Sequence, residues 1–76
     1  MDEKILAALQ SVRPESNFKE SLDFQNDGLL DSFDMIVLVT ALERGFSVKI
    51  PGEMIVPSNF SNIEAIDNLI TKLMAN

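Results

Sequence analysis

Gly28-Leu29-Leu30-Asp31-Ser32-Phe33-Asp34 runs straight into Met35-Ile36-Val37-Leu38-Val39-Thr40-Ala41-Leu42-Glu43-Arg44, and this stretch decides how the rest of the chain is read. The glycine provides a turn, and Leu29 and Leu30 pin that turn to a core. Asp31-Ser32 stands where an apolar-rich segment begins, the position of a helix N-cap. A serine there sits at a fixed, exposed corner beside the unpaired N–H groups of the first helical turn. Those groups and the helix dipole favour an anion, so a phosphate ester on the Ser32 hydroxyl suits the corner. The helix itself is expected over 32–45. Met35, Leu38, Val39, Leu42 and Phe46 form one buried stripe, which Ile36 widens. With Val37 and Thr40 on the flanks, the helix is apolar around more of its circumference than solubility requires. Gly45 supplies its stop.

Upstream, residues 3–12 read as an amphipathic helix, with Asp2 as N-cap and Ile5, Leu6, Leu9 and Val12 on one stripe. Arg13-Pro14 ends it, because the residue before proline is pushed out of the α region. Residues 14–31 form a long loop, unusual in so short a chain. Phe18, Leu22, Phe24, Leu29 and Leu30 are expected to anchor that loop across the helices.

Downstream, Phe46-Ser47-Val48-Lys49-Ile50 alternates apolar and polar, but no second strand candidate exists to pair with it. It is therefore read as an extended connector with Phe46, Val48 and Ile50 facing inward. Pro51-Gly52 marks a turn, and Pro57-Ser58-Asn59-Phe60 a single short helical turn with proline at its first position. Ser61-Asn62-Ile63-Glu64 has the capping-box pattern. Ile63, Ile66, Leu69, Ile70 and Leu73 then make the stripe of a last helix, with Met74-Ala75-Asn76 expected to fray. The fold class is accordingly all-α: a small antiparallel bundle of three main helices plus one short helix, in a single domain spanning 1–76.

The 76 residues leave no room for a second core. The chain has no cysteine and no histidine, so it lacks disulfides, thiolate metal sites and any Ser-His-Asp or Cys-His constellation. The acidic start Met1-Asp2-Glu3-Lys4 lacks a signal-peptide pattern. The apolar run Met35 to Val39 is too short to span a bilayer. A soluble, cytoplasmic, monomeric protein without membrane insertion is expected. The net charge is −6, and it is unevenly placed. Between Glu20 and Asp34 stand Glu20, Asp23, Asp27, Asp31 and Asp34, with no Lys or Arg. Such a surface repels nucleic acid and anionic membrane and attracts basic protein surfaces.

With these landmarks in place, the chain resembles the acyl carrier proteins and related carrier domains. Gly28-Leu29-Leu30-Asp31-Ser32-Phe33-Asp34 before an apolar helix resembles their attachment motif, with Phe33 in place of the commoner Leu, a variant also seen in D-alanyl carrier proteins. Leu42-Glu43…Phe46 followed by Ile50-Pro51 resembles the exit of their second helix, and Phe60-Ser61-Asn62-Ile63-Glu64-Ala65-Ile66 the start of their last. The resemblance implies that Ser32 carries a covalent 4′-phosphopantetheine arm, installed by a separate phosphopantetheinyl transferase. The protein is then no enzyme: acyl or aminoacyl groups ride as thioesters on an imported thiol and are presented to loading and transferring enzymes with basic patches. Fatty-acyl, polyketide-type, aminoacyl and D-alanyl cargo all remain open. A tether of this kind raises the substrate's effective concentration at each partner. The apolar surplus of the second helix then either packs in the core, lines a slot for the acyl chain or meets a partner.

The resemblance also implies that Asp31, Asp34, Glu43 and Glu53 meet partner enzymes, together with Phe33 and Val37. Val37 stands where many fatty-acid-synthesis carriers have Glu, Arg44 interrupts the acidic side, and Gly52 replaces an acid common after the Ile-Pro pair. A drier, less charge-driven interface and a specialised carrier follow from those departures. Two other readings compete. One is a non-modified acidic helical interaction module. The other is a calcium loop over Asp23–Asp34, with acids at the first, fifth and ninth positions and Gly28 at the sixth. That loop lacks the third ligand (Gln25) and the bidentate Glu at its end (Asp34).

Overall fold

In a computed structural model that describes residues 2–75, three α-helices surround one cluster of buried side chains: α1 (Asp2–Val12), α2 (Ser32–Phe46) and α3 (Ile63–Ala75). Three short 3-10 turns punctuate the connections, at Phe18–Glu20, Gly52–Met54 and Pro57–Phe60. The chain has no strand among the described residues; of the segment read as a connector, Phe46 belongs to α2 and only 47–50 connects. The turn opened by Pro57 matches the expected fourth helix. Those at 18–20 and 52–54 are additions within stretches read as loop and turn.

The relative direction of α1 and α2 follows from contacts at their two ends. Lys4, in the first turn of α1, places Nζ 3.4 Å from the Gly45 carbonyl and 5.6 Å from the centre of the Phe46 ring, both at the end of α2. Arg13, just past the end of α1, reaches the start of α2. The two helices therefore run antiparallel, and α3 packs against α1.

The core draws on every expected stripe. Ile5 and Leu9 of α1, Met35, Leu38, Val39 and Leu42 of α2, and Ile66, Leu69 and Ile70 of α3 are buried. Phe18, Phe24 and Leu30 bring the long first loop into the same cluster, the two rings meeting edge to face at 5.1 Å. The backbone of Phe24 fixes the loop further: its N–H donates to the Ser61 carbonyl at 2.6 Å, and its carbonyl accepts from Leu29 and Leu30. Gly28 turns the chain between them with φ of 76°, a conformation in which a Cβ is costly. Phe60 and Ile50 close the core from the second connection.

Six local expectations are corrected. Leu22, read as an anchor, is 82% exposed; only its carbonyl is used, accepting from the Asn62 amide. Ile36, read as widening the buried stripe, is 62% exposed because its position round α2 lies off the stripe of Met35, Leu38, Val39 and Leu42. Asp2 is the first residue of α1 and not a cap outside it. Gly45 does not end α2. The helix continues through Phe46, and Ser47 makes the left-handed exit at φ 53°, held by Val48 N–H on the Glu43 carbonyl and Ile50 N–H on the Glu43 carboxylate at 2.8 Å. The cap of α3 is Asn62, whose Oδ1 accepts from Ala65 N–H at 2.8 Å, while Ser61 finishes the preceding turn by donating to the Ser58 carbonyl. Met74 and Ala75 belong to α3; the expected fraying at Asn76 lies outside the described residues.

Candidate functional site

The start of α2 is built by a reciprocal pair of acids. Asp31 is the N-cap, with extended backbone, and its Oδ1 accepts from Asp34 N–H at 2.8 Å. Asp34 returns the bond: its Oδ2 accepts from Asp31 N–H at 3.2 Å. This capping box satisfies two of the four N–H groups that the helix cannot satisfy from within, those of Asp31 and Asp34, and leaves those of Ser32 and Phe33. Ser32 is the first residue of the helix proper and is exposed, and its hydroxyl takes no hydrogen bond among the described residues.

A cation completes the arrangement. Arg13 Nη2 lies 2.7 Å from Asp34 Oδ2 and 3.7 Å from Asp31 Oδ2. Burial alone would push the Asp34 carboxyl pKa up. The Arg13 hydrogen bond, the Asp31 N–H and the Arg13 charge outweigh it and hold the group below the ordinary carboxylate range. The same hydrogen bond, with the Asp34 charge next, raises the Arg13 pKa. Sequence reading took Arg13 only as a helix terminator. A signal for its role was nonetheless present: two acids three residues apart at one helix start, in a segment from 20 to 34 without a single cation, call for a counter-charge from elsewhere among the six Lys and Arg.

The residues expected to meet partners divide into two groups. Asp31, Phe33, Val37 and Glu53 are exposed. Asp34 is only 8% exposed and engaged on both sides, and Glu43 spends its carboxylate on Ile50. Ile36, which sequence reading had sent inward, joins the exposed group. Phe33, Ile36 and Val37 stand at i, i+3 and i+4 and so share one face of α2.

The calcium reading finds no site. Asp27 accepts from the Ser21 hydroxyl at 2.6 Å, Asp23 from Asn26 N–H, and Asp34 from Arg13. Among the described residues no three acids come together to hold a metal ion.

Comparison of the sequence with known proteins points to one family. An acyl carrier protein of Helicobacter hepaticus is 32% identical over 74 residues, a match covering 97% of this chain and 83% of that protein. The mitochondrial acyl carrier protein of Neurospora crassa is 28% identical over 72 residues, covering 95% of this chain and 50% of that protein, so the chain spans half its length. No family model matches, and no solved structure does. A small all-helical chain with an exposed serine opening its second helix belongs to the acyl carrier protein family.

The residues present fit the prosthetic group that this family implies. Ser32 offers an unengaged hydroxyl at an accessible corner, and nothing in the capping box would have to break for that oxygen to be esterified. Among the described residues no helix is long and apolar enough to cross a membrane.

Proposed function

We propose that the protein carries acyl or aminoacyl groups as thioesters on a 4′-phosphopantetheine arm esterified to Ser32. The observation that carries this reading is the exposed, unengaged Ser32 hydroxyl at the first residue of α2. Attachment is a phosphoryl-type transfer from coenzyme A. The Ser32 oxygen bonds to the phosphorus that bears pantetheine, the diphosphate P–O bond breaks, and adenosine bisphosphate leaves. The hydroxyl proton passes to a base of the transferase. Once attached, the arm supplies the thiol that the chain lacks. The chain's own contribution is presentation: a rigid helix start, N–H groups that favour the phosphodiester, and a docking face beside it.

That face comprises Phe33, Ile36 and Val37, flanked by Asp31 and Glu53. Partners that fit it are acyl-handling enzymes and the transferase, each offering an apolar patch rimmed by basic residues in the same cytoplasmic compartment. Intact-mass measurement after incubation with coenzyme A and a broad-specificity phosphopantetheinyl transferase tests the reading. Wild type should gain one arm and Ser32→Ala none. An unmodified wild type would favour the plain interaction module instead, and an adduct that survives Ser32→Ala would move the site elsewhere.

A further inference from the structure

The ion pair at the start of α2 joins parts of the chain that are far apart in sequence, and its place bears on Ser32. Arg13 leaves α1 with its N–H still bonded to the Leu9 carbonyl at 3.0 Å, and Pro14 prevents the helix from going further. The backbone of Arg13 is thereby fixed, and its side chain is directed to the start of α2. There it meets two carboxylates that belong to one helical turn. Asp31 Oδ1 and Asp34 Oδ2 are the acceptors of the capping box, and Arg13 Nη2 sits 2.7 Å from the second. Without a cation, two like charges would face each other across that turn, one of them 92% removed from solvent by its 8% exposure. Relief would come from opening the box, either by swinging Asp34 out to water or by releasing Asp31. Either route releases a bond that holds the turn between them, and that turn carries Ser32.

We infer that Arg13 is the positioning residue for modification of Ser32: through Asp31 and Asp34 it locks the turn that aims the hydroxyl. This rests on Ser32 being the attachment site. Arg13 touches neither Ser32 nor any reacting atom and acts on the geometry of the nucleophile. One guanidinium nitrogen faces both carboxylates, at 2.7 Å from Asp34 and 3.7 Å from Asp31, so an ammonium in its place keeps the charge but not the planar group that fixes it.

The test follows initial rates of mass gain with coenzyme A and transferase, at a temperature where circular dichroism shows every variant folded. The variants are wild type, Arg13→Gln, Arg13→Lys and the core control Ile70→Val. Arg13→Gln should lower kcat/KM by about tenfold, mostly in kcat, as expected for a nucleophile moved by a fraction of an ångström. Arg13→Lys should recover part of the loss, and Ile70→Val should modify like wild type. In Arg13→Gln the Asp34 amide resonance should shift as its bond to Asp31 loosens. Modification of Arg13→Gln at the wild-type rate would overturn the inference. So would a loss shared equally by Ile70→Val, which signals general destabilisation, or a loss confined to KM, which makes Arg13 a docking contact. Failure of wild type to gain an arm removes the Ser32 reading itself, and this inference with it.

Discussion

In its first turns α2 is apolar on two sides, and they do opposite things. Met35, Leu38, Val39 and Leu42 on one side are at most 7% exposed, while Phe33, Ile36 and Val37 on the other are 72%, 62% and 41% exposed. Hydrophobicity alone would place both sets inside. The difference is what lies opposite: the first set belongs to the buried cluster formed with α1, α3 and the connections, and the second stays outside it. A helix that is apolar on both sides thus holds the bundle together with one face and offers the other outward beside Ser32. Stability and recognition are therefore separable on this helix by substitution.

The largest effect is expected on the inner side. Leu42 is completely buried, and Leu42→Ala removes both its transfer free energy and its packing, about 3 kcal/mol. In a domain this small that is a large part of the total, so the urea midpoint should fall steeply, with the folded state partly lost at 37 °C. A loss below about 1 kcal/mol would mean that the inner face is no better packed than the outer one, and the comparison would fail.

Next comes the junction between the two sides, at Asp34. Asp34→Ala deletes half of the capping box and the partner of Arg13, an expected cost of about 2 kcal/mol. The charge also makes stability depend on pH. Burial works to raise the Asp34 pKa, but Arg13 and the Asp31 N–H prevail, so the folded value lies below that of the unfolded chain. The folded state then binds this proton less readily than the unfolded state. The stabilisation is complete above an unfolded carboxylate pKa of about 3.9 and is lost as pH falls through the lower, folded value. Unfolding midpoints measured from pH 6 downward should fall less steeply in Asp34→Asn than in wild type. Parallel acid limbs would remove Asp34 from the account.

A smaller effect, of opposite sign, is expected at Gly45 near the end of α2. It lies within the helix, has no positive φ, and a Cβ added there would meet nothing within 4 Å. Gly45→Ala should therefore stabilise by about 0.5–1 kcal/mol through helix propensity. The same change at Gly28, where φ is 76°, should destabilise although space is equally open. Destabilisation by Gly45→Ala would restore it as the stop that sequence reading assigned.

How far sequence reading reached depends on the range of the signal. Periodicity located all three helices within a residue or two, because 3.6-residue spacing of Leu, Ile and Val is a local property. Pro57 placed its turn for the same reason, as did the Asp31-Ser32 corner. The choice between Ser61 and Asn62 as the cap of α3 was not local: Asn62 also donates its amide to the Leu22 carbonyl, 40 residues away. Leu22 and Phe24 look alike in a loop without period, and only the Ser61 carbonyl and the Phe18 ring decide which goes inside. The acids at the start of α2 called for a counter-charge, but which of the six Lys and Arg supplies it depends on α1 and α2 running antiparallel, a tertiary fact. Ile36 was misplaced because an apolar helix does not announce how wide a stripe its neighbours will cover.

The smallest expected change in stability is the most discriminating for the comparison. Ile36→Ala removes a side chain that is mostly in water already, and alanine is the better helix former, so the two terms nearly cancel. The unfolding midpoint should stay within about 0.5 kcal/mol of wild type. Binding should not follow. If the outer face docks on an apolar partner surface, truncating its central residue costs about 1–2 kcal/mol, a five- to thirtyfold loss in kcat/KM for modification of Ser32, carried mainly by KM. Raising the salt concentration should recover none of it, since the lost contact is uncharged. Unchanged modification by Ile36→Ala would leave the outer face an incidental apolar surface. A stability loss like that of Leu42→Ala would mean that the two sides of α2 are not separable at all.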